Sequence, residues 1–168
     1  MAVLPLRTAP DPILRRKAQK IKVIDASLKR LIQDMVETMY EANGVGIAAN
    51  QVGSLRKVAV IQLPEDEGPR VLINPEILRR EGERDLDEGC LSVPGYRGVV
   101  KRSVKVEARA LDLNGKVFRI KAEDDLLTQA LEHEVDHLNG VLYIDHLADK
   151  DSLHKIEDVE EESRPAGR

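Results

Sequence analysis

The stretch LEHEVDHLNG, residues 131–140, contains His133 and His137 four positions apart, with Glu134 directly after the first histidine. On an α-helix, residues four apart lie about 40° apart around the axis and about 6 Å along it, so both imidazoles can face one ion. Glu134 is rotated by about 100° from His133, which places it beside such an ion. The H-E-x-x-H spacing therefore predicts a helical metal site whose glutamate contacts a water molecule. Two core histidines without an ion are the alternative.

The third metal ligand has several candidates. An extended zinc-protease motif requires a histidine where Tyr143 stands, so that motif is incomplete. Glu157 could complete a site of two histidines and one glutamate, and His146 also lies close in sequence. Cys90, within DEGCLSVPGYRG, is the remaining candidate, although a small buried hydrophobe is the usual fate of a free cysteine. A thiolate with two imidazoles would leave a fourth position open for catalysis.

Length and composition indicate a soluble globular chain. Its 168 residues suit one domain with a hydrophobic core, and 42% are hydrophobic while 33% are charged. A net charge of -4 gives no reason to expect direct nucleic-acid binding. The single cysteine excludes an internal disulfide, and we find neither a signal peptide nor a membrane-spanning stretch. We therefore expect a cytoplasmic protein without a membrane partner.

Hydrophobic periodicity predicts two helices and several strands. Residues 26–42 have apolar side chains at helical spacing, and a second helix is expected from Asp124 or Asp125 to about Gly140. Short strands are predicted at 57–63 and 71–73, the second ended by a bend at Asn74-Pro75. Residues 103–122 form the clearest hairpin, with the turn signal Asn114-Gly115.

These elements predict an α+β fold in which antiparallel strands pack around a central C-terminal helix that carries the metal motif. A single catalytic domain is expected over residues 1–168. Within it, residues from about 150 to 168 are expected to form an acidic, flexible tail.

A third motif, GVGIAANQVG, occupies residues 44–53 after the first helix. Its glycines allow a close approach of the backbone to a ligand, although such a stretch is often only a turn. It is not a phosphate-binding loop, because no Gly-Lys-Ser/Thr follows.

Together, the segments GVGIAANQ, EGCLS and HEVDHL resemble the peptide deformylase family, whose pattern is G-x-G-x-A-A-x-Q, E-G-C-L-S and H-E-x-D-H-L in the same order. The resemblance covers most of residues 10–147. It implies a metal-dependent hydrolase that removes the formyl group from the N-terminal formyl-methionine of new polypeptides and releases formate. Its implied cofactor is one divalent metal ion, ferrous iron first, with zinc, nickel or cobalt as alternatives.

The resemblance also implies roles for individual residues. Cys90, His133 and His137 would bind the metal, and Glu134 would be the general acid and base. Gln51 and the backbone N–H of Leu91 would donate hydrogen bonds to the reacting oxygen. The residues implied in substrate binding are Gly46 through its backbone and Val45, Leu86, Leu126 and Ala130 as a pocket for the methionine side chain. For Leu126 and Ala130, which share a helical stripe with His133, plain core packing is the alternative.

The chain departs from the family pattern at Glu132, where glutamine is usual, and the added charge could alter the pocket or the basicity of a ligand. The implied partner is the nascent formyl-methionyl polypeptide, met transiently at the exit region of the ribosome. Some members use a basic C-terminal helix for that approach, but the acidic residues 157–162 do not support this role here. The remaining rivals are a metallopeptidase, a closed structural metal site and an inactive relative bound to a partner.

Overall fold

The computed structural model describes residues 2–156. Its two α-helices are α1 (Ala26–Glu41) and α2 (Leu126–Leu138). The strands, in chain order, are β1 (Gly46–Ala48), β2 (Val58–Ile61), β3 (Arg70–Glu81), β4 (Arg84–Cys90), β5 (Val93–Arg102), β6 (Lys105–Leu111), β7 (Val117–Glu123) and β8 (His154–Lys155). Short 3-10 helices connect several of these elements.

The strands form two sheets in which all neighbouring strands are antiparallel. The larger sheet has the order β1-β2-β3-β6-β7, and the smaller has the order β4-β5-β8. The predicted hairpin is β6–β7, with Lys105 paired to Glu123 at its open end and Leu111 paired to Val117 near the turn.

The larger sheet is covered on both faces at β2, where α1 packs on one face and α2 on the other. All four residues of β2 are buried. Val58 and Val60 belong to one apolar cluster with residues of α1, whereas Ile61 shares another with Leu131 of α2. This follows from the period of two along a strand, which sends alternate side chains to opposite faces. Helix α1 begins where predicted, with the Asp25 carboxylate accepting a hydrogen bond from Leu28 N at 2.9 Å.

Helix α2 lies between the two sheets, as the sequence predicts. One side packs Leu127, Ala130 and Leu131 against the larger sheet. The other side meets β4, where Gln129 Nε2 donates to the backbone oxygen of Asp87 at 3.2 Å. The Asp125 carboxylate caps the helix by accepting from Thr128 N at 2.9 Å. The metal motif is therefore held inside the fold by packing on two sides.

Two features differ from the sequence predictions. Strand β3 does not end at Asn74-Pro75 but continues to Glu81, with a shift of register between Ile73 and Glu76. The strand tolerates Pro75 because this position lies in a bulge, where no backbone N–H has to donate a hydrogen bond to the neighbouring strand. Strands β4 and β5 were not predicted at all.

The expected flexible tail from residue 150 is partly structured. Residues Lys150–Ser152 form a 3-10 helix, and His154–Lys155 form β8 against β5. The remainder of that prediction, residues 157–168, lies outside the described residues. Within residues 2–156, no helix is long and apolar enough to cross a membrane.

Candidate metal centre

One thiol and two imidazoles converge on a single point. Cys90 Sγ lies 3.1 Å from His137 Nε2, and His137 Nε2 lies 3.1 Å from His133 Nε2. The three ligand atoms are all within 4.8 Å of one another. Metal–sulfur and metal–nitrogen bonds of about 2.3 and 2.0 Å in tetrahedral geometry require ligand separations of roughly 3.3–3.6 Å. The donor set therefore fits one divalent ion.

A buried carboxylate orients the first imidazole. His133 Nδ1 donates to Glu88 Oε2 at 2.6 Å, which leaves the Nε2 lone pair facing Cys90 and His137. Arg102 holds the same carboxylate in a bidentate pair, with distances of 3.0 and 2.6 Å. The Glu88 and Arg102 side chains are only 4% and 2% exposed. Burial alone would raise the pKa of Glu88, but the hydrogen bonds from His133 and Arg102 outweigh it and lower that pKa to about 2.

The same arginine also contacts helix α2 near the second histidine. Arg102 Nη1 donates to Asp136 Oδ2 at 2.8 Å, and His146 Nε2 lies 3.1 Å from that oxygen. Asp136 is adjacent to His137, so the arginine joins the neighbours of two metal-ligand candidates. His146 faces Asp136 in this arrangement and is not a member of the ligand cluster.

Glu134 lies beside the three ligand atoms in a position made possible by a glycine. A Cβ added at Gly46 would overlap Glu134 Oε2, so only glycine allows β1 to approach this carboxylate. Glu134 Oε1 is buried and has no hydrogen-bond partner among the described residues. Burial raises the pKa of the Glu134 carboxyl to about 7. The group is thus suited to accept and return a proton near neutral pH.

Gln51 is oriented by the backbone of its own turn. Its Oε1 accepts from Ala48 N at 2.9 Å, so its amide nitrogen faces the thiol. Gln51 Nε2 donates to Ser92 Oγ at 3.0 Å and lies 3.7 Å from Cys90 Sγ. Ser92 N also donates to that sulfur at 3.4 Å.

These groups face a cavity of about 460 Å³. Its lining includes most of the sequence-predicted site residues, namely Val45, Gly46, Gln51, Cys90, Leu91, Leu126, Ala130, His133 and Glu134. Leu86 is not among the lining residues and pairs with Val100 further along β4. Leu126 is 42% exposed and therefore lies at the rim of the cavity, whereas Ala130 is buried.

Tyr143, which stands where the extended protease motif requires a histidine, is not a member of the ligand cluster. The ring of Tyr143 is stacked on that of His133, with centroids 6.4 Å apart, and its hydroxyl is buried. Burial raises the pKa of Tyr143 to about 12, so it packs as a neutral phenol. Glu157 lies outside the described residues.

Comparison with known proteins identifies the family. Residues 3–152 match the family model described as polypeptide deformylase. A peptide deformylase from Dehalococcoides mccartyi is 49% identical over 156 residues, which cover 93% of each chain. The chain belongs to the polypeptide deformylase family. A second relative, peptide deformylase 1 from Clostridium perfringens, is 49% identical over 87% of this chain and 99% of its own.

Solved deformylase structures share the fold. The crystal structure of a peptide deformylase from Legionella pneumophila has a TM-score of 0.84 and 39% identity, and the match covers 98% of this chain and 100% of that one. A Synechococcus elongatus peptide deformylase in complex with actinonin has a TM-score of 0.85 and 40% identity, covering 97% and 89%. The predicted α+β class and family are therefore confirmed, and the chain is a hydrolase of the metal-dependent family that removes N-formyl groups from nascent polypeptides.

Sequence reasoning missed the groups around the three metal-ligand candidates. Glu88 carried only a weak signal, its place two residues before Cys90 in a segment for which no strand was predicted. Arg102, Ser92 and Gln129 carried none that we recognise. Arg102 reaches Glu88 only through the pairing of β4 with β5, where Glu88 lies opposite Gly98.

Glu132, the departure from the family pattern, is directed away from the cavity. Its carboxylate accepts from Ser103 N at 2.7 Å, from Ser103 Oγ at 3.0 Å and from Arg80 Nε at 3.1 Å. The added charge thus ties α2 to the β5–β6 connection and to β3.

We expect Glu132→Gln to lower the free energy of unfolding by about 1 kcal/mol, because the amide keeps one acceptor but loses the ion pair with a half-exposed arginine. Deformylation kinetics should change less than about two-fold. Urea unfolding and formate release on the same preparation test both statements. A large fall in kcat with unchanged stability would show that this charge acts on the metal centre.

Replacement of Gly46 by alanine should lower kcat strongly, although it adds only one methyl group. In Gly46→Ala the new methyl group displaces the Glu134 carboxylate, and a misplacement of about 1 Å lowers kcat roughly 100-fold. Gly68→Ala is the matched control, since a Cβ there meets nothing within 4 Å. Steady-state rates of formate release compare the two, and equal rates would contradict the proposed position of Glu134.

Proposed function

We propose that deformylation by this chain uses one divalent metal ion bound by Cys90, His133 and His137. The observation that carries this proposal is the convergence of one thiol and two imidazoles beside the buried Glu134 carboxylate. Among residues 2–156 the cluster offers three ligands, which leaves a coordination position for solvent or substrate. That open position favours a catalytic site over a closed structural one.

Ferrous iron is the proposed physiological ion, with zinc, nickel or cobalt able to occupy the same donors. A thiolate with two imidazoles suits all four, and availability commonly decides between them. When bound, such an ion lowers the pKa of a coordinated water and polarises a carbonyl oxygen.

Glu134 is the proposed general base and acid. Its carboxylate accepts a proton from the water that attacks the formyl carbon, and it then gives that proton to the leaving amine. The raised pKa of Glu134 matches both halves of this cycle near neutrality. Products are formate and a free amino terminus.

Gln51 and Leu91 are the proposed donors to the oxygen that becomes negative as the formyl carbon turns tetrahedral. The hydrogen bond from Ala48 N to Gln51 Oε1 already turns the amide nitrogen of Gln51 toward Cys90. A preorganised donor of this kind costs no reorganisation during reaction and can contribute about 3 kcal/mol to transition-state stabilisation. The backbone N–H of Leu91 acts beside it.

The methionine side chain is proposed to bind against Val45, Leu126 and Ala130, with the Gly46 backbone holding the substrate chain. All three line the cavity, Val45 directly before β1 and the other two on α2. Leu86 is left out of the pocket because it does not line the cavity.

The substrate partner is the nascent formyl-methionyl polypeptide. We propose that it is met transiently near the ribosome exit in the cytoplasm, without direct nucleic-acid binding. The net charge of -4 supports that last point, because phosphate backbones attract basic surfaces.

The decisive assay measures formate released from a formyl-methionyl peptide by anaerobically prepared protein, with metal analysis of the same sample. We expect stoichiometric metal, formate release, and internal peptide bonds left intact. Cleavage of internal bonds without formate release would support the metallopeptidase alternative instead.

A further inference from the structure

The last described segment of the chain is built onto the smaller sheet. Ala148 N donates to the backbone oxygen of Val99 at 2.8 Å, and Val99 N donates to Ser152 Oγ at 3.2 Å. Strand β8 then pairs with β5, with His154 opposite Arg97 and Lys155 opposite Tyr96. The segment therefore forms the third strand of this sheet.

Tight packing fixes the segment against β5. A Cβ added at Gly98 would lie 2.6 Å from Leu147 Cδ2 and 3.5 Å from Leu153 Cα. The glycine therefore leaves room for the Leu147 side chain, while Leu153 packs at ordinary contact distance. The segment thus has a defined position on β5.

The register directs the chain toward the metal site. Each step forward on β8 is a step back on β5, so the residue after Lys155 comes opposite Gly95. Gly95 belongs to the β4–β5 turn region, in which Val93 pairs with Cys90. Ile156 accordingly lines the same cavity as the metal-ligand candidates.

The cavity has two groups of walls. Val45, Leu126 and Ala130 come from the β1 region and α2, whereas Tyr96, Arg97 and Ile156 come from the smaller sheet. If the first group takes the methionine side chain, the second group is free to contact the next residue of the substrate.

The wall formed by Tyr96, Arg97 and Ile156 is mainly apolar, and its one charged side chain is paired. Arg97 Nε forms an ion pair with Asp87 Oδ2 at 2.7 Å, so the two opposite charges partly offset each other at the rim. Arg97 also covers Gly89, where an added Cβ would lie 3.0 Å from its Nη1. The alkyl group of Ile156 and the ring of Tyr96 remain as contact surface.

We propose that Ile156 is a specificity-determining residue that contacts the side chain of the amino acid following the formyl-methionine and favours an apolar one. This inference rests on the proposed function, because it assumes that the formyl group and the methionine occupy the sites described above. The C-terminal segment is then part of the substrate site.

The test compares formyl-Met-Leu-Ser with formyl-methionine amide, which has no second residue. Wild type, Ile156→Ser and Ile156→Leu are assayed, with His154→Ala as the control on the same strand. We expect Ile156→Ser to lower kcat/KM for the tripeptide about five-fold through KM, from partial loss of apolar contact. The amide should be unaffected, and Ile156→Leu and His154→Ala should match wild type on both substrates.

Calorimetric binding of formyl-Met-Leu-Ser in a Glu134→Gln background separates this inference from the proposed function. Weaker binding in the added Ile156→Ser variant supports the contact with Ile156 whether or not the wild-type protein releases formate. Absence of formate release by the wild-type protein would contradict only the proposed function. An unchanged ratio of tripeptide to amide, or an equal loss on both substrates, would overturn the role of Ile156.

Discussion

Glu134→Gln is expected to retain its metal and to lose about three orders of magnitude in kcat. The glutamine amide has nearly the same shape but cannot accept the proton of the attacking water, and a positioned general base contributes roughly 10²- to 10⁴-fold. The substitution should leave KM nearly unchanged, because the substrate-binding residues stay in place. Formate release and metal content measured on one preparation check this result.

Glu132→Gln is the matched control for that variant. It makes the same chemical change two residues earlier on α2, but its carboxylate contacts Ser103 and Arg80 instead of the cavity. Near-normal turnover in Glu134→Gln with full metal content would show that another group moves the proton.

Arg102→Met should destabilise the protein strongly. The arginine is almost fully buried, and its removal leaves the Glu88 carboxylate in the interior with a missing partner. Breaking a buried pair in this way costs about 3 kcal/mol or more, because the remaining charge has lost its compensation. We also expect weaker metal retention, since Glu88 orients His133.

The control for Arg102→Met is Arg119→Met. Arg119 pairs with Glu107 at 3.2 Å, but its side chain is 62% exposed, so removal should cost less than about 1 kcal/mol. Denaturant unfolding of both variants in the metal-loaded form makes the comparison. Similar stability losses would contradict the assignment of Arg102 as the central cation of the network.

The helices and the hairpin were predictable because their signals are local. Asp25 and Asp125 cap helices whose apolar spacing is regular, and Asn114-Gly115 turns a hairpin whose strands alternate. The prediction that a strand ends at Asn74-Pro75 was wrong because tertiary contacts hold this dipeptide within β3. Asn74 has φ of 51° and exchanges two hydrogen bonds of 2.8 Å with the backbone of Ile21, which stabilises a bulge within a continuing strand.

Strands β4 and β5 were not predicted because two of their buried side chains are charged. Glu88 and Arg102 occupy buried positions where the alternation of apolar and polar residues requires apolar ones. Their charges are tolerated because they pair with each other and with His133 and Asp136. Such pairing depends on strand register, which no local pattern contains.

For the metal site, the spacing of His133 and His137 predicted two ligands, and the resemblance supplied Cys90. The role of Ile156 could not be anticipated, since it depends on how far the C-terminal segment runs along β5. The sequence likewise could not show that the Glu132 side chain turns away from the cavity, because this depends on its contacts with Ser103 and Arg80.

X-ray absorption spectroscopy of the anaerobically purified, active protein tests the central proposal most directly. We expect one sulfur ligand at about 2.3 Å with nitrogen or oxygen ligands at about 2.0–2.1 Å, at one metal per chain. Cys90→Ala should lose the sulfur signal together with most of the metal. A fully active, fully loaded enzyme without sulfur coordination would contradict the site formed by Cys90, His133 and His137.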